Sequence, residues 1–292
     1  MKKSLLRNCF GVLLFLSLII SCKKSDNTAV ILDTHTAVTL KNVSFGTDAL
    51  QCMDIYLPAN RSIDSTKILY IIHGGAWLAG DKSDYDTIIP SFLQQLPQYA
   101  IVNINYRLAT FTGTNEWPVQ MNDVNAAINY INSKSTVYQI DNSKSAVLGE
   151  SAGAQLSLLK GYMYNSNHNI KCVIDLFGPT DLIDLYNNAT NASYPAMLQL
   201  FLSGTPTSNY SNYISASPLY AVNNQVPPTI IFHGTADTIV PIHQSDSLNN
   251  RLLKAGVSNQ YITYKGEGHG WNDSNWIDTY HKTIAFLIAN NQ

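Results

Sequence analysis

Beyond Pro58 the chain alternates short apolar runs with longer amphipathic stretches, and this rhythm limits its fold more than any other feature. The runs are 68–72 (ILYII), 100–104 (AIVNI), 146–148 (AVL), 172–177 (CVIDLF), 229–232 (TIIF) and 261–264 (YITY). They lack the in–out alternation of a half-exposed strand, so they read as strands covered on both faces. Between them lie predicted helices. Pro118 begins one, whose apolar face is Val119, Val124, Ala127, Ile128 and Ile131, and others cover 151–164, 244–255 and 276–289. Strands alternating with helices imply a mostly parallel sheet flanked by helices, an α/β architecture. Ahead of that region, 37–45 and 51–57 do alternate and are separated by a Gly-Thr-Asp turn, which predicts an antiparallel N-terminal strand pair. One domain, 37–292, accounts for all of these elements. Within it, residues 181–217 break the rhythm with Asn, Ser, Thr, Tyr and Pro and one helical stretch near Met197. An excursion of that length in a compact domain is expected to act as a cap or to shape a substrate site.

The first 22 residues do not belong to that fold. Lys2, Lys3 and Arg7 precede an apolar run of residues 9–20, too short to span a bilayer comfortably, which reads as a signal peptide. It ends Ile19-Ile20-Ser21-Cys22, which resembles a bacterial lipobox, and implies lipidation of Cys22. The polar segment 23–36 then serves as a tether, and the domain is expected at the cell envelope, touching the membrane through its lipid anchor only. The signal carries three of the 18 Lys and Arg, so 15 remain against 20 Asp and Glu, a net charge of about −5. No basic cluster remains to hold nucleic acid. Cys52 and Cys172, the cysteines after the anchor, sit in separate strand-like runs and read as small buried side chains rather than a disulfide.

Two motifs carry the chemistry. Gly149-Glu150-Ser151-Ala152-Gly153 follows the run 146–148 and precedes a helix, the setting of a nucleophile elbow, where small neighbours permit a sharp strand-to-helix turn. His73-Gly74-Gly75-Ala76-Trp77 follows the run 68–72, where tandem glycines can turn backbone N–H groups toward a developing oxyanion. With these two motifs the chain resembles the α/β-hydrolase carboxylesterases that carry an HGG-x-W oxyanion motif. That branch includes hormone-sensitive-lipase-like enzymes and bacterial acetyl and feruloyl esterases. Residues 105–109 (NYRLA), "WPVQMNDVNAAINYI", "HGTADTIVP" and "GEGHGW" extend the resemblance over the mature domain. Ala76 departs from the third glycine of HGGG lipases. It keeps an N–H, and its methyl narrows the acyl side.

The resemblance implies an α/β-hydrolase fold and a triad in the order Ser, Asp, His, on loops after late strands. Among seven histidines, His269 is flanked by Gly268 and Gly270 on a loop after 261–264, which suits a mobile base. His73 and His233 read as supports for their loops. Asp237 lies 32 residues before His269 and is the acid the resemblance favours, with Asp181 as its rival and Asp175 within a strand. Arg107 and Asp123 read as a structural pair. Gly75, Ala76 and Ala152, with Gly74, would form the oxyanion hole. The implied activity is hydrolysis of short-chain, most simply acetyl, esters by Ser151, His269 and Asp237, with carbohydrate or other small ester substrates and no cofactor or metal. A formamidase or amidase of the same branch, a serine peptidase, and a non-catalytic surface-binding lipoprotein are the alternatives. Tyr186, Tyr194, Tyr210 and Tyr213 of the excursion are expected to offer flat faces to a sugar ring.

Overall fold

The computed structural model describes residues 32–292 apart from Ala192. The signal segment, Cys22 and tether residues 23–31 lie outside the described residues. The later tether positions Asp33 and Thr36 present their carbonyls to the buried Arg61 guanidinium at 2.7 and 2.8 Å. Leu32, Asp33 and Thr36 thus already touch the domain, ahead of the boundary at 37.

The strands are β1 (Val38–Ser44), β2 (Cys52–Leu57), β3 (Lys67–Ile72), β4 (Tyr99–Ile104), β5 (Ser145–Glu150), β6 (Ile170–Leu176), β7 (Thr229–Gly234) and β8 (Asn259–Tyr264). They form one sheet in the order β1-β2-β4-β3-β5-β6-β7-β8. β1–β2 and β2–β4 pair antiparallel, and every other neighbouring pair is parallel. This is the α/β-hydrolase architecture implied by the sequence. Burial follows position in the sheet. β4, in the interior, is buried throughout, whereas the edge strand β1 alternates between half-buried and exposed residues over its first half.

The helices are α1 (Ile89–Gln95), α2 (Val119–Ser133), α3 (Ser135–Tyr138), α4 (Ala152–Tyr162), α5 (Leu182–Asn187), α6 (Ser193–Leu202), α7 (Tyr210–Ser215), α8 (His243–Lys254) and α9 (Asp273–Asn290). Successive β3 side chains point to opposite faces, and so divide the core in two. Ile68, Tyr70 and Ile72 pack with Val124 and Ile128 of α2, Leu156 and Leu159 of α4, and Leu248 of α8. Leu69 and Ile71 pack with Phe92 of α1 and Phe286 and Leu287 of α9. The excursion 181–217 folds as the short helices α5, α6 and α7, anchored where Phe201 of α6 stacks on Trp77 at 4.2 Å. α6 contains the helical stretch expected near Met197, whereas polar composition concealed α5 and α7, of which only a few residues, such as Leu182 and Tyr213, enter the core. α1 was likewise not apparent. It has seven residues and no side-chain cap, too little for a helical periodicity to register.

The carboxyl ends of β3, β5, β7 and β8 all open at one edge of the parallel sheet, where α/β folds place their ligands.

Candidate active site

Ser151 sits between β5 and α4 with φ 51° and ψ −120°. A backbone this unfavourable costs about 1–3 kcal/mol and persists only where the surroundings enforce it. Here the flanking glycines allow it. A Cβ on Gly149 would lie 2.2 Å from the Gly153 carbonyl oxygen, and one on Gly153 2.1 Å from that of Ile72. No side chain fits at either position, so α4 rides directly against β3 and the serine is pushed out above the sheet edge. The Ser151 N–H is fixed to the Leu176 carbonyl at 2.9 Å.

His269, on the loop after β8, brings Nε2 to 2.9 Å from Ser151 Oγ and Nδ1 to 2.7 Å from Asp237 Oδ2. The carboxylate accepts only, so Nδ1 carries the proton and Nε2 is left to accept from the serine hydroxyl. The ring meets Phe177 edge-on at 4.6 Å, which limits its rotation. Asp237, after β7, is buried. Its Oδ1 accepts from the Ile239 and Val240 N–H groups at 2.8 and 3.0 Å. Burial by itself would raise this carboxyl, but hydrogen bonds from His233 and His269, with the Ile239 N–H, outweigh it and hold the pKa well below the usual carboxylate range.

His233 was read only as support for its loop, and its placement is more specific than that. Its Nε2 donates to the Val240 carbonyl at 2.8 Å and lies 3.3 Å from Asp237 Oδ2, while the Ser245 hydroxyl donates to Nδ1 at 2.7 Å. Asp237 is thus held between two imidazoles. The i, i+4 spacing of His233 and Asp237 was the available signal.

The loop after β3 carries positive φ at Gly75, Ala76 and Trp77 (103°, 51° and 62°). Tyr106 holds it down, donating to the His73 carbonyl at 3.0 Å and stacking on the His73 ring at 4.3 Å. The His73 Nδ1 in turn donates to the Gly74 carbonyl at 2.7 Å. Trp77 is fixed through Nε1 to Gln155 Oε1 at 3.0 Å. Among the described residues nothing accepts from the N–H groups of Gly75, Ala76 and Ala152, the last at the first turn of α4 where no helical partner exists. The Gly74 N–H instead faces the Glu150 carboxylate. Of the four candidate donors, Gly74 is therefore the least suited.

The remaining candidates fall elsewhere. Asp181 caps α5, accepting from the Ile183 and Asp184 N–H groups, and takes the Tyr220 hydroxyl. Asp175 is fully buried beneath the elbow, and burial pushes its carboxyl up to about 7. Arg107 and Asp123 form the anticipated pair through two contacts of 2.7 and 2.8 Å. Cys52 and Cys172 are free thiols. The four tyrosines do not behave as a set. Tyr194 lines the cleft, but Tyr213 is buried with its hydroxyl on the Gly204 carbonyl, Tyr186 packs edge-on against it, and Tyr210 lies exposed outside the cleft. Tyr186 and Tyr213 hold the excursion itself together. Among the described residues no cluster of three or more His, Cys, Asp or Glu is placed to hold a metal.

Two spaces adjoin Ser151. One is an open cleft of about 420 Å³ walled by Gly75, Glu150, Tyr194, His269 and Trp276. The other is a pocket of only about 30 Å³ between Ala76, Trp77, Ala152, Leu198 and Val240.

Residues 53–252 match the family model described as BD-FAE. The chain is 25% identical over 244 residues to esterase LipC of Mycobacterium tuberculosis, covering 80% of this chain and 60% of that one. It is 26% identical over 223 residues to the probable carboxylic ester hydrolase LipM of the same organism, covering 73% and 50%. The chain thus spans little more than half the length of these curated relatives. Among solved structures, a truncated carbohydrate esterase from gut microbiota superposes with a TM-score of 0.72 at 27% identity, covering 88% of this chain and 97% of that one. Esterase Est2 of Thermogutta terrifontis shares the fold at a TM-score of 0.69 and 18% identity, over 88% of this chain and 93% of its own.

Proposed function

The chain belongs to the BD-FAE family, and from that premise we propose that it is a serine carboxylic ester hydrolase. The observation that carries this reading is the unbroken line from Asp237 through His269 to Ser151, facing backbone N–H groups that have no acceptor among the described residues. Ser151 Oγ attacks the ester carbonyl as His269 Nε2 takes its proton. Asp237 keeps the Nδ1 proton in place and stabilises the imidazolium. The N–H groups of Gly75, Ala76 and Ala152 bind the oxyanion. Collapse of the tetrahedral intermediate expels the alcohol, which takes the proton from Nε2. Water then attacks the acyl-enzyme by the same route and releases the acid.

The substrate's two halves are told apart by His269. The leaving oxygen must collect its proton there, so the alcohol lies in the cleft bounded by His269 and Trp276. The acyl chain takes the remaining space, the pocket of about 30 Å³, which has room for a methyl or little more. This favours acetyl esters. The similarity to a carbohydrate esterase supports a sugar alcohol as the other half. Acetyl, butanoyl and octanoyl esters of one alcohol should show kcat/KM falling with chain length, by about tenfold or more from acetyl to octanoyl. A preference for octanoyl would reject the short-acyl assignment.

We further propose that Cys22 is lipidated and anchors the enzyme at the cell envelope, as its charged n-region and Ile-Ile-Ser-Cys ending suggest. Cells fed a clickable fatty acid should label the wild-type protein and not Cys22→Ala. An unlabelled wild type would reject the anchor.

A further inference from the structure

At the edge of the sheet opposite Ser151, the fold buries a positive charge without a counter-charge. Lys160, in the last turn of α4, is only 9% exposed, and no carboxylate among the described residues pairs with its Nζ. We propose that Lys160 and the asparagines around it form a second, non-catalytic site that binds a hydroxyl-bearing ring through its carboxylate. A sugar acid is that class of ligand.

The charge comes first. Lysine is seldom buried without a paired anion, because an unpaired charge loses its hydration and gains nothing in return. Two other Lys and Arg side chains are buried among the described residues, and both are provided for. Lys82 faces Asp54 at 3.3 Å, and Arg61 is taken up by the carbonyls of Asp33, Thr36, Pro58 and Tyr138. Lys160 donates to Asn125 Oδ1 at 3.1 Å and to the Tyr164 carbonyl at 2.8 Å, which leaves its third N–H free. Carbonyl dipoles at the end of α4 favour a cation but do not neutralise it. Burial pushes the Lys160 ammonium down to about 8, with no carboxylate to oppose the shift. A ligand carboxylate on the third N–H would supply the missing charge.

The surroundings define the rest of the ligand. Lys160 lines a pocket of about 310 Å³, at the small end of the range for ligand sites. Its walls include Ser145 and Ile170, which begin β5 and β6, whereas Ser151 follows the other end of β5. It shares no wall residue with the cleft or the acyl pocket, so its occupant is not the ester being hydrolysed. α2 presents Asn125, Asn129 and Asn132 to it at i, i+4 and i+7, a single helical face, and Asn142 joins them. Asn125 is committed to Lys160, but the side-chain amides of the other three have no protein partner among the described residues. Each amide offers both a donor and an acceptor, the pair that a hydroxyl group needs. No Asp, Glu, Arg or second Lys lines the pocket. One ammonium matches one carboxylate, while a phosphate dianion calls for clustered cations or a helix N-terminus.

Calorimetric titration of the full chain with glucuronate should show one site with a Kd of about 1 mM or tighter. Glucose, acetate and inorganic phosphate should each bind about tenfold or more weakly. Lys160→Met should weaken glucuronate about tenfold or more, and Asn132→Leu several-fold, with kcat for ethyl acetate unchanged in both. Without ligand, Lys160→Met should melt no lower than the wild type, because an apolar chain replaces an unpaired buried charge. Glucose or acetate binding as tightly as glucuronate would overturn the proposal, as would tighter binding of phosphate. Glucuronate that competes with ethyl acetate equally well in Lys160→Met would lie in the cleft at Ser151, and the second site would fall. Should Lys160→Met fail to fold, Asn132→Leu decides, and an unchanged glucuronate affinity there would overturn the proposal. A wild type that gives no heat with glucuronate, and no rise in Tm, would leave Lys160 as a cap for α4 and nothing more.

Discussion

Ser151→Ala and His269→Ala should each lower kcat for an acetyl ester by about 10⁶, because nucleophile and base act as one unit and removing either disables both. The fold should be nearly untouched. Ser151 Oγ makes its hydrogen bond to His269, while the Ser151 N–H that anchors the elbow to Leu176 survives in alanine. Loss of the His269 ring removes an edge contact to Phe177 and one hydrogen bond to Asp237, whose carboxylate keeps the Ile239 and Val240 N–H donors. Melting curves of both variants should therefore overlay the wild type to within a few degrees, while single-turnover experiments show no acyl-enzyme on Ser151→Ala. Residual activity above about one per cent in a folded Ser151→Ala protein would require another nucleophile, since the oxyanion hole alone leaves only about 10³–10⁴ over water.

That prediction could be written from the sequence, and the reason is local. An elbow needs small residues on both sides of the serine, so its chemistry is compressed into five consecutive positions, and the glycine-flanked His269 is similarly self-contained. The parallel strands were legible because burial on both faces leaves continuous apolar runs, and the antiparallel pair because β1 alternates. What escaped depends on distance in the chain. Tyr106 reaches His73 across 33 residues, and Trp77 meets Phe201 across more than a hundred, with no spacing to betray either. The tyrosines of the excursion misled for a related reason. An aromatic in a polar segment can face a ligand or fasten the segment, and only packing showed that Tyr213 and Tyr186 do the second.

The acid is the assignment the sequence left most open, and the geometry makes its test sharp. Asp237→Asn should lower kcat by about 10⁴. Both carboxylate oxygens of Asp237 act as acceptors, Oδ1 from two backbone N–H groups and Oδ2 from His269 and, more distantly, His233. An asparagine amide must turn its NH₂ toward one of those sets. Facing His269, it forces the imidazole into the tautomer with the proton on Nε2, where it can no longer accept from Ser151. Facing Ile239 and Val240, it opposes donor to donor inside the domain. The second cost should appear as stability. The depressed carboxyl stabilises the fold above its unfolded pKa, and that contribution is lost as the pH falls toward its folded value. The melting difference between Asp237→Asn and the wild type should accordingly be largest near pH 7 and shrink in acid. Asp181→Asn poses no such conflict, because an asparagine caps α5 as an aspartate does, and its kcat should stay within a few-fold of the wild type. If the Asp181 variant loses far more activity than the Asp237 variant, with both folded by circular dichroism, then the acid is Asp181 and the line through His269 has been drawn to the wrong carboxylate.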